Sequence, residues 1–250
     1  MAENRDSIDL MRAITISREY GSGGGEIAAR LAQHLNWHLI DHEVVVRVAL
    51  ELGVSEAEAE AYDERDEGLV SRILTSLQMI QPSILVAAPP MPLATDAHEY
   101  NEARRRVIDA AVKTGHVVIV GRGSQVQLAQ RRDVLHVRIV ASLERRIQYV
   151  MSREGLNQDA ARSRIQAKDR DRMRYLQAEF QRDPADAHLY DLVINTDVIE
   201  LDSAVDLIQL ALERKARRFP VTTGELGPVV GLQRYPGQAE DLRPPDSVTG

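Results

Sequence analysis

Residues 13–28 read Ala13-Ile14-Thr15-Ile16-Ser17-Arg18-Glu19-Tyr20-Gly21-Ser22-Gly23-Gly24-Gly25-Glu26-Ile27-Ala28. The run from Ala13 to Ser17 is short and β-branched, it ends in a cluster of glycines, and Ile27, Ala28, Leu31 and Leu35 then recur at helical spacing. That order predicts a strand, a tight loop and a helix from Glu26 to Leu35. Free backbone N–H groups and the positive end of the helix dipole meet at such a junction, and phosphate is the guest they suit. The usual triphosphate loop is G-x-x-x-x-G-K-[ST], whose Lys reaches the β/γ-phosphates. With Gly24 as the last glycine, Gly25 stands at the Lys place and Glu26 at the Ser/Thr place; slid by one residue, the pattern meets Glu26 and Ile27.

Outward from the loop, His38-Leu39-Ile40 reads as a second strand with Asp41 just past its end, and Val117 to Val120 as a third, apolar on both faces like a central parallel strand. Leu135 to Val140 and Asp191 to Asn195 complete five strands. Helical spacing covers Glu43 to Ile80 with a break at Asp63 to Gly68, then Asp96 to Lys113, Leu143 to Arg153, Gln158 to Phe180 and Asp202 to Arg217, while Gln81 to Thr95 reads as a loop. Strands alternating with helices imply right-handed crossovers and an α/β fold. From Phe219 onward, 5 of the 10 prolines and 5 of the 15 glycines fall in the last 32 residues, which reads as a flexible tail.

Composition removes several function classes. The 250 residues carry no Cys, which excludes a disulfide framework, a thiolate zinc site and a Cys nucleophile. The 31 Lys and Arg against 38 Asp and Glu give a net charge of −7, so nucleic acid is not an expected partner and a polyanion needs a local Arg cluster. The N-terminus has no apolar signal region, and the longest apolar stretch, Ser83 to Thr95, is broken by Pro89, Pro90 and Pro92. A cytoplasmic protein without a membrane span is the expectation.

Ile14 to Ala28, Leu39-Ile40-Asp41, Val118-Ile119-Val120-Gly121-Arg122-Gly123, Asp169-Arg170-Asp171-Arg172-Met173-Arg174 and Tyr190 to Thr196, taken together and in this order, resemble the cytidylate kinase-like family over Ala13 to Leu212. The resemblance implies a P-loop kinase fold with a five-stranded parallel sheet, a helical insert for a nucleoside monophosphate at about 43–114, and a lid at about 155–182, within a domain of residues 1–218. It implies ATP and Mg²⁺ as donor and a (d)CMP-type acceptor. Carried over by position, Gly21, Ser22, Gly23, Gly24, Gly25 and Glu26 form the donor-phosphate loop, and Arg122 meets the acceptor; Asp41, at the carboxyl end of a parallel strand, has two open readings, an acceptor contact or the N-cap of a helix from His42. Arg170, Arg172 and Arg174 supply lid charge for phosphoryl transfer, with Asp171 facing the acceptor. A register shifted by two puts Asp169 and Arg172 in place of Asp171 and Arg174. Phosphoryl transfer depends on positioning and charge neutralisation, so glycines and arginines would carry the chemistry.

The chain departs from the family pattern at four places: Gly25 for the loop's basic residue, Val120 and Gly123 for acids flanking Gly121-Arg122, and Ala167 for a lid Arg. Arg18 or a lid Arg is the candidate for the lost charge. Glu26 has two open readings, a ligand for Mg²⁺ or a side chain turned away. These departures keep a second function in play, a catalytically impaired nucleotide- or phosphate-binding sensor of the same fold. Arg104-Arg105-Arg106 reads as an exposed, salt-bridged helix face without a role. His34, His38 and His42 are spaced by four, but Asn36-Trp37 is expected to end the helix between them, so they do not line up as metal ligands.

Overall fold

The computed structural model describes residues 8–41 and 97–226. Within them the elements run β1 (Ala13–Arg18), α1 (Gly24–Leu35), β2 (His38–Ile40), α2 (Ala97–Thr114), β3 (Val117–Val120), α3 (Ser124–Gln127), β4 (Val134–Val140), α4 (Leu143–Glu154), α5 (Gln158–Phe180), β5 (Leu192–Asn195) and α6 (Leu201–Arg217). The strands form one five-stranded sheet in the order β2-β3-β1-β4-β5, and every pairing is parallel. The expected α/β fold with a five-stranded parallel sheet is therefore the observed one. The expected helical stretch from Glu43 to Ile80 and the loop to Thr95 lie outside the described residues, as does the tail beyond 226.

Period-two burial explains why β1 and β3 read as continuous apolar runs. Ile14, Ile16, Val118 and Val120 pack on one face against Ile27, Ala28 and Leu31 of α1 and Ala204, Ile208 and Leu212 of α6. Ala13, Val117 and Ile119 face the other way, against Val107, Ile108 and Ala111 of α2. Both faces are covered, as parallel strands require. A third cluster, Ile147, Val150, Ala161 and Ile165, joins α4 to α5 and takes in Tyr20 of the loop.

Helix ends follow local chemistry. α1 stops at Asn36, whose left-handed φ of 54° caps the helix, so His34 and His38 are separated as expected. Asn157 caps α5 by accepting from the Ala160 amide at 2.9 Å. Two features correct the sequence reading: α1 opens at Gly24 rather than Glu26, and a one-turn α3 follows β3 where no helix is expected. Residues 219–221 fold back on the domain, where the carbonyls of Phe219 and Val221 accept from Arg132 at 3.1 and 2.6 Å.

Candidate phosphate-transfer site

The glycine loop joins the carboxyl end of β1 to α1, where ligands meet open parallel sheets. Four of its carbonyls turn inward. Glu19 O accepts from the Ser22 amide and hydroxyl at 3.3 and 2.9 Å, Tyr20 O from Arg146 at 3.3 Å, Ser22 O from Thr196 Oγ1 at 2.9 Å, and Gly23 O from the Ile27 amide at 3.0 Å. The first amides of α1 have no intrahelical acceptor, so the junction presents donors rather than acceptors to a ligand. Gly21 and Gly23 hold φ of 83° and 78°, and a Cβ on them would stand 2.9 Å from Val150 and 2.7 Å from Leu201. Their glycines are required by conformation and by space.

Among the proposed donor residues, Ser22 is 3% exposed with its hydroxyl turned to the carbonyls of Glu19 and Ile139. Glu26 is engaged by Arg30, by the Tyr149 hydroxyl at 3.2 Å and by Arg153 at 3.6 Å, and the Arg30 hydrogen bond above all holds its carboxyl below the usual range. Of its two readings, the side chain turned away fits these surroundings. Gly25 has nothing within 4 Å of a Cβ, whereas a Cβ on Gly24 would lie 2.6 Å from the Cβ of Arg18.

Arginines gather where β1 and β3 end. Burial holds the Arg18 guanidinium well below the ordinary arginine range, Arg172 and Arg122 push it further, and Asp41 works the other way. Arg172 is likewise lowered by burial first, with Asp169 opposing and Arg122 and Arg146 adding to the fall. Arg172 donates to the Arg18 carbonyl at 3.3 Å and lies over the Tyr20 ring, 5.3 Å from its centroid. The structure thus brings Arg18, Asp41, Arg122 and Arg172 to one place beside the loop. Mutual repulsion among partly desolvated cations marks a place that an anion would relieve.

Of the α5 carboxylates and arginines expected to serve the site, Asp169 and Arg172 are the ones that reach the glycine loop. Asp169 accepts from the Tyr20 amide at 2.8 Å and from Arg146, and Arg172 stands 3.7 Å from it. Arg170, Asp171 and Arg174 are exposed on the outer face of α5. Glu19 completes the surroundings, 3.6 Å from Arg146 and 3.9 Å from Arg138.

Arg122 sits between Gly121 and Gly123, and all three have positive φ, 73°, 61° and 68°. A non-glycine residue in that region is uncommon and carries strain that the surroundings must hold. α5 does so: the Tyr175 hydroxyl donates to the Arg122 carbonyl at 3.4 Å, and the Phe180 ring occupies the space a Cβ on Gly123 would need. The absence of an acid at 123 has this steric cause. Arg104 corrects the expectation of an exposed face, for it is 1% exposed, with its guanidinium 4.8 Å from the Tyr175 centroid. Arg105 keeps the expected pairing, 3.3 Å from Glu102, and also covers the Phe180 ring.

On the other side of the loop a cavity of about 460 Å³ is lined by Gly21–Gly23, Arg145, Tyr149 and residues 196–201. Sequence reasoning passed over it, although the Tyr190 to Thr196 stretch leads into it. Among the described residues no group of three or more His, Asp or Glu side chains is arranged to hold a metal, and no helix is long and apolar enough to cross a membrane.

The cytidylate kinase-like family model matches residues 13–198, from the first residue of β1 to just beyond β5. The chain belongs to that family. Among curated relatives, it is 30% identical over 120 residues to a cytidylate kinase of Methanopyrus kandleri, 45% of this chain and 62% of that one. It is 32% identical over 129 residues to a uronate isomerase of Corynebacterium glutamicum, 52% of this chain but 24% of that one. The aligned part therefore spans about a quarter of one relative and under two thirds of the other. A solved structure of an uncharacterized protein from Eubacterium ventriosum shares the fold, with a TM-score of 0.60 at 21% identity, covering 81% of this chain and 99% of that one.

Proposed function

We propose that this chain is a nucleoside monophosphate kinase-like phosphotransferase that moves the γ-phosphoryl group of ATP, with Mg²⁺, to a (d)CMP-type acceptor. The observation that carries this reading is the convergence of Arg18, Arg122 and Arg172 beside a loop four of whose carbonyls face inward. The loop amides take the donor phosphates, and the 460 Å³ cavity beside Gly21–Gly23 takes the nucleoside, with Val198, 88% exposed, offering an apolar face at its rim. Arg122, held by its strained turn, takes the acceptor phosphate across from Asp41. Arg172 spans the two and neutralises charge that develops on the moving group.

The carboxylates nearest the loop, Glu19, Glu26 and Asp169, are engaged by arginines, so Mg²⁺ fits here as an ion carried on the donor phosphates and completed by water. There it would offset the charge of the β- and γ-oxygens. Docking of α5 excludes water from the transferred group and so protects ATP from hydrolysis.

The sensor reading has one observation in its favour, the lack of any Lys or Arg from Gly21 to Glu26. A coupled ADP-release assay with ATP, Mg²⁺ and CMP, dCMP, UMP, AMP or GMP separates the two. Acceptor-dependent turnover that disappears in Arg122→Ala supports the kinase; nucleotide binding without turnover supports the sensor.

A further inference from the structure

We propose that Arg18 is the cation for the transferred phosphoryl group, delivered from the end of β1 because Arg18 and Gly24 have exchanged the glycine and the basic residue of an ordinary triphosphate loop. The inference rests on the phosphotransfer reading and deepens it.

Spacing and backbone carry the first part. In G-x-x-x-x-G-K the first and last glycines are five residues apart. Gly23, with φ of 78°, is the residue immediately before α1, and Arg18 lies five residues ahead of it. In this register Arg18 stands at the first glycine and Gly24 at the lysine.

Sterics carry the second part. An ideal Cβ on Gly24 would lie 2.6 Å from Arg18 Cβ and 3.1 Å from Arg18 Cγ. Real Cβ atoms do not approach a main-chain-anchored carbon so closely, so only one of positions 18 and 24 can carry a side chain. Arg18 uses that space and passes its guanidinium over Gly121, where a Cβ would run into Nη1. It thereby reaches the Gly121-Arg122-Gly123 turn that the acceptor reading uses.

Charge carries the third. Arg122 and Arg172 face Arg18 with like charge and Asp41 is the opposing carboxylate. Among the described residues the Arg18 side chain makes no hydrogen bond or ion pair. A cation kept in such company contributes little to the fold, and an anion is what it fits.

The test uses the full chain as wild type, Arg18→Ala, Gly24→Lys and the double variant Arg18→Gly/Gly24→Lys, which rebuilds G-x-x-x-x-G-K. Thermal unfolding is read for each, and calorimetry measures binding of tripolyphosphate, ATP and AMP with Mg²⁺. Arg18→Ala is expected to unfold no earlier than wild type and to lose roughly tenfold or more in affinity for ATP and tripolyphosphate, the loss of one charge-assisted contact. Its affinity for AMP should change far less. Gly24→Lys should unfold earlier, and the double variant should recover both the unfolding midpoint and the affinity for ATP. Arg18→Ala binding both polyphosphates like wild type overturns the inference, as does a double variant no more stable than Gly24→Lys.

The two readings fail separately. Weakened ATP binding in Arg18→Ala, with no acceptor-dependent ADP release by wild type, supports Arg18 and overturns the kinase. Unchanged binding with acceptor-dependent release overturns Arg18 and supports the kinase. A wild type that binds no polyphosphate overturns both.

Discussion

The backbone amide of Tyr20 donates to Asp169 Oδ1 at 2.8 Å, which ties the entry of the glycine loop to the middle of α5 across 149 residues of sequence. The carbonyl of the same residue accepts from Arg146, which also pairs with Asp169. The glycine loop and α5 are thus fixed to each other through one residue.

Asp169→Ala removes the acceptor of the Tyr20 amide and the partner of Arg146 together. The expected cost is about 1–3 kcal/mol, the range for leaving partly buried groups unsatisfied, seen as an earlier thermal midpoint. Turnover should fall with it, and Asp169→Asn, which keeps an oxygen for Tyr20, should lose less stability. Equal midpoints for wild type and Asp169→Ala would remove the latch from the account.

The Gly121-Arg122-Gly123 turn gives a second prediction. Gly123→Ala adds a Cβ at φ of 68° into the Phe180 ring, so it should destabilise by about 1–3 kcal/mol, as overpacking does. Phe180→Ala combined with Gly123→Ala should cost less than the sum of the two single changes, measured by chemical unfolding as a double-mutant cycle. Strict additivity would mean that Phe180 is not what forbids a side chain there.

Gly25 should behave in the opposite way. It lies inside α1 with open space around its Cβ position, and replacing a helical glycine by alanine gains about 0.5–1 kcal/mol. Gly25→Ala is therefore expected to raise the melting temperature, and a fall would contradict the description of the loop.

The imidazole of His136, 6% exposed and 2.8 Å from Thr15 Oγ1, is pushed down to about 4 by burial, with Asp191 opposing and Lys215 adding to the fall. The unfolded chain takes up this proton near pH 6.5, the folded protein near 4, so the contribution is complete above 6.5 and lost as pH falls between those values. The loss reaches roughly 3 kcal/mol at most. Denaturant titrations from pH 7 to 4 should show this slope in wild type and a flatter one in His136→Gln; parallel curves would contradict it.

Much of this fold is legible in the sequence because each element buries a periodic face. β1 and β3 show unbroken apolar runs, and Gln158 to Phe180 is bounded by a capping Asn157 and a left-handed Gln181. Which residues of α5 face the loop is not legible, since positions 169 and 172 and positions 171 and 174 have the same helical spacing, and only contact with Tyr20 distinguishes them. Arg104 was hidden for a related reason: three adjacent arginines look solvated until Tyr175, 71 residues later, supplies a ring for one of them. The exclusion between Arg18 and Gly24 is a through-space fact that the spacing of glycines suggests only once Gly23 is known to be the left-handed residue that caps α1.

The most direct measurement is product identification by phosphorus resonance in a mixture of the full chain, ATP, Mg²⁺ and CMP, beside the Arg122→Ala protein. Equal amounts of CDP and ADP, formed by wild type and absent with Arg122→Ala, are the predicted result. ADP appearing only with inorganic phosphate, or CDP formed equally by both proteins, would contradict transfer to an acceptor held by Arg122.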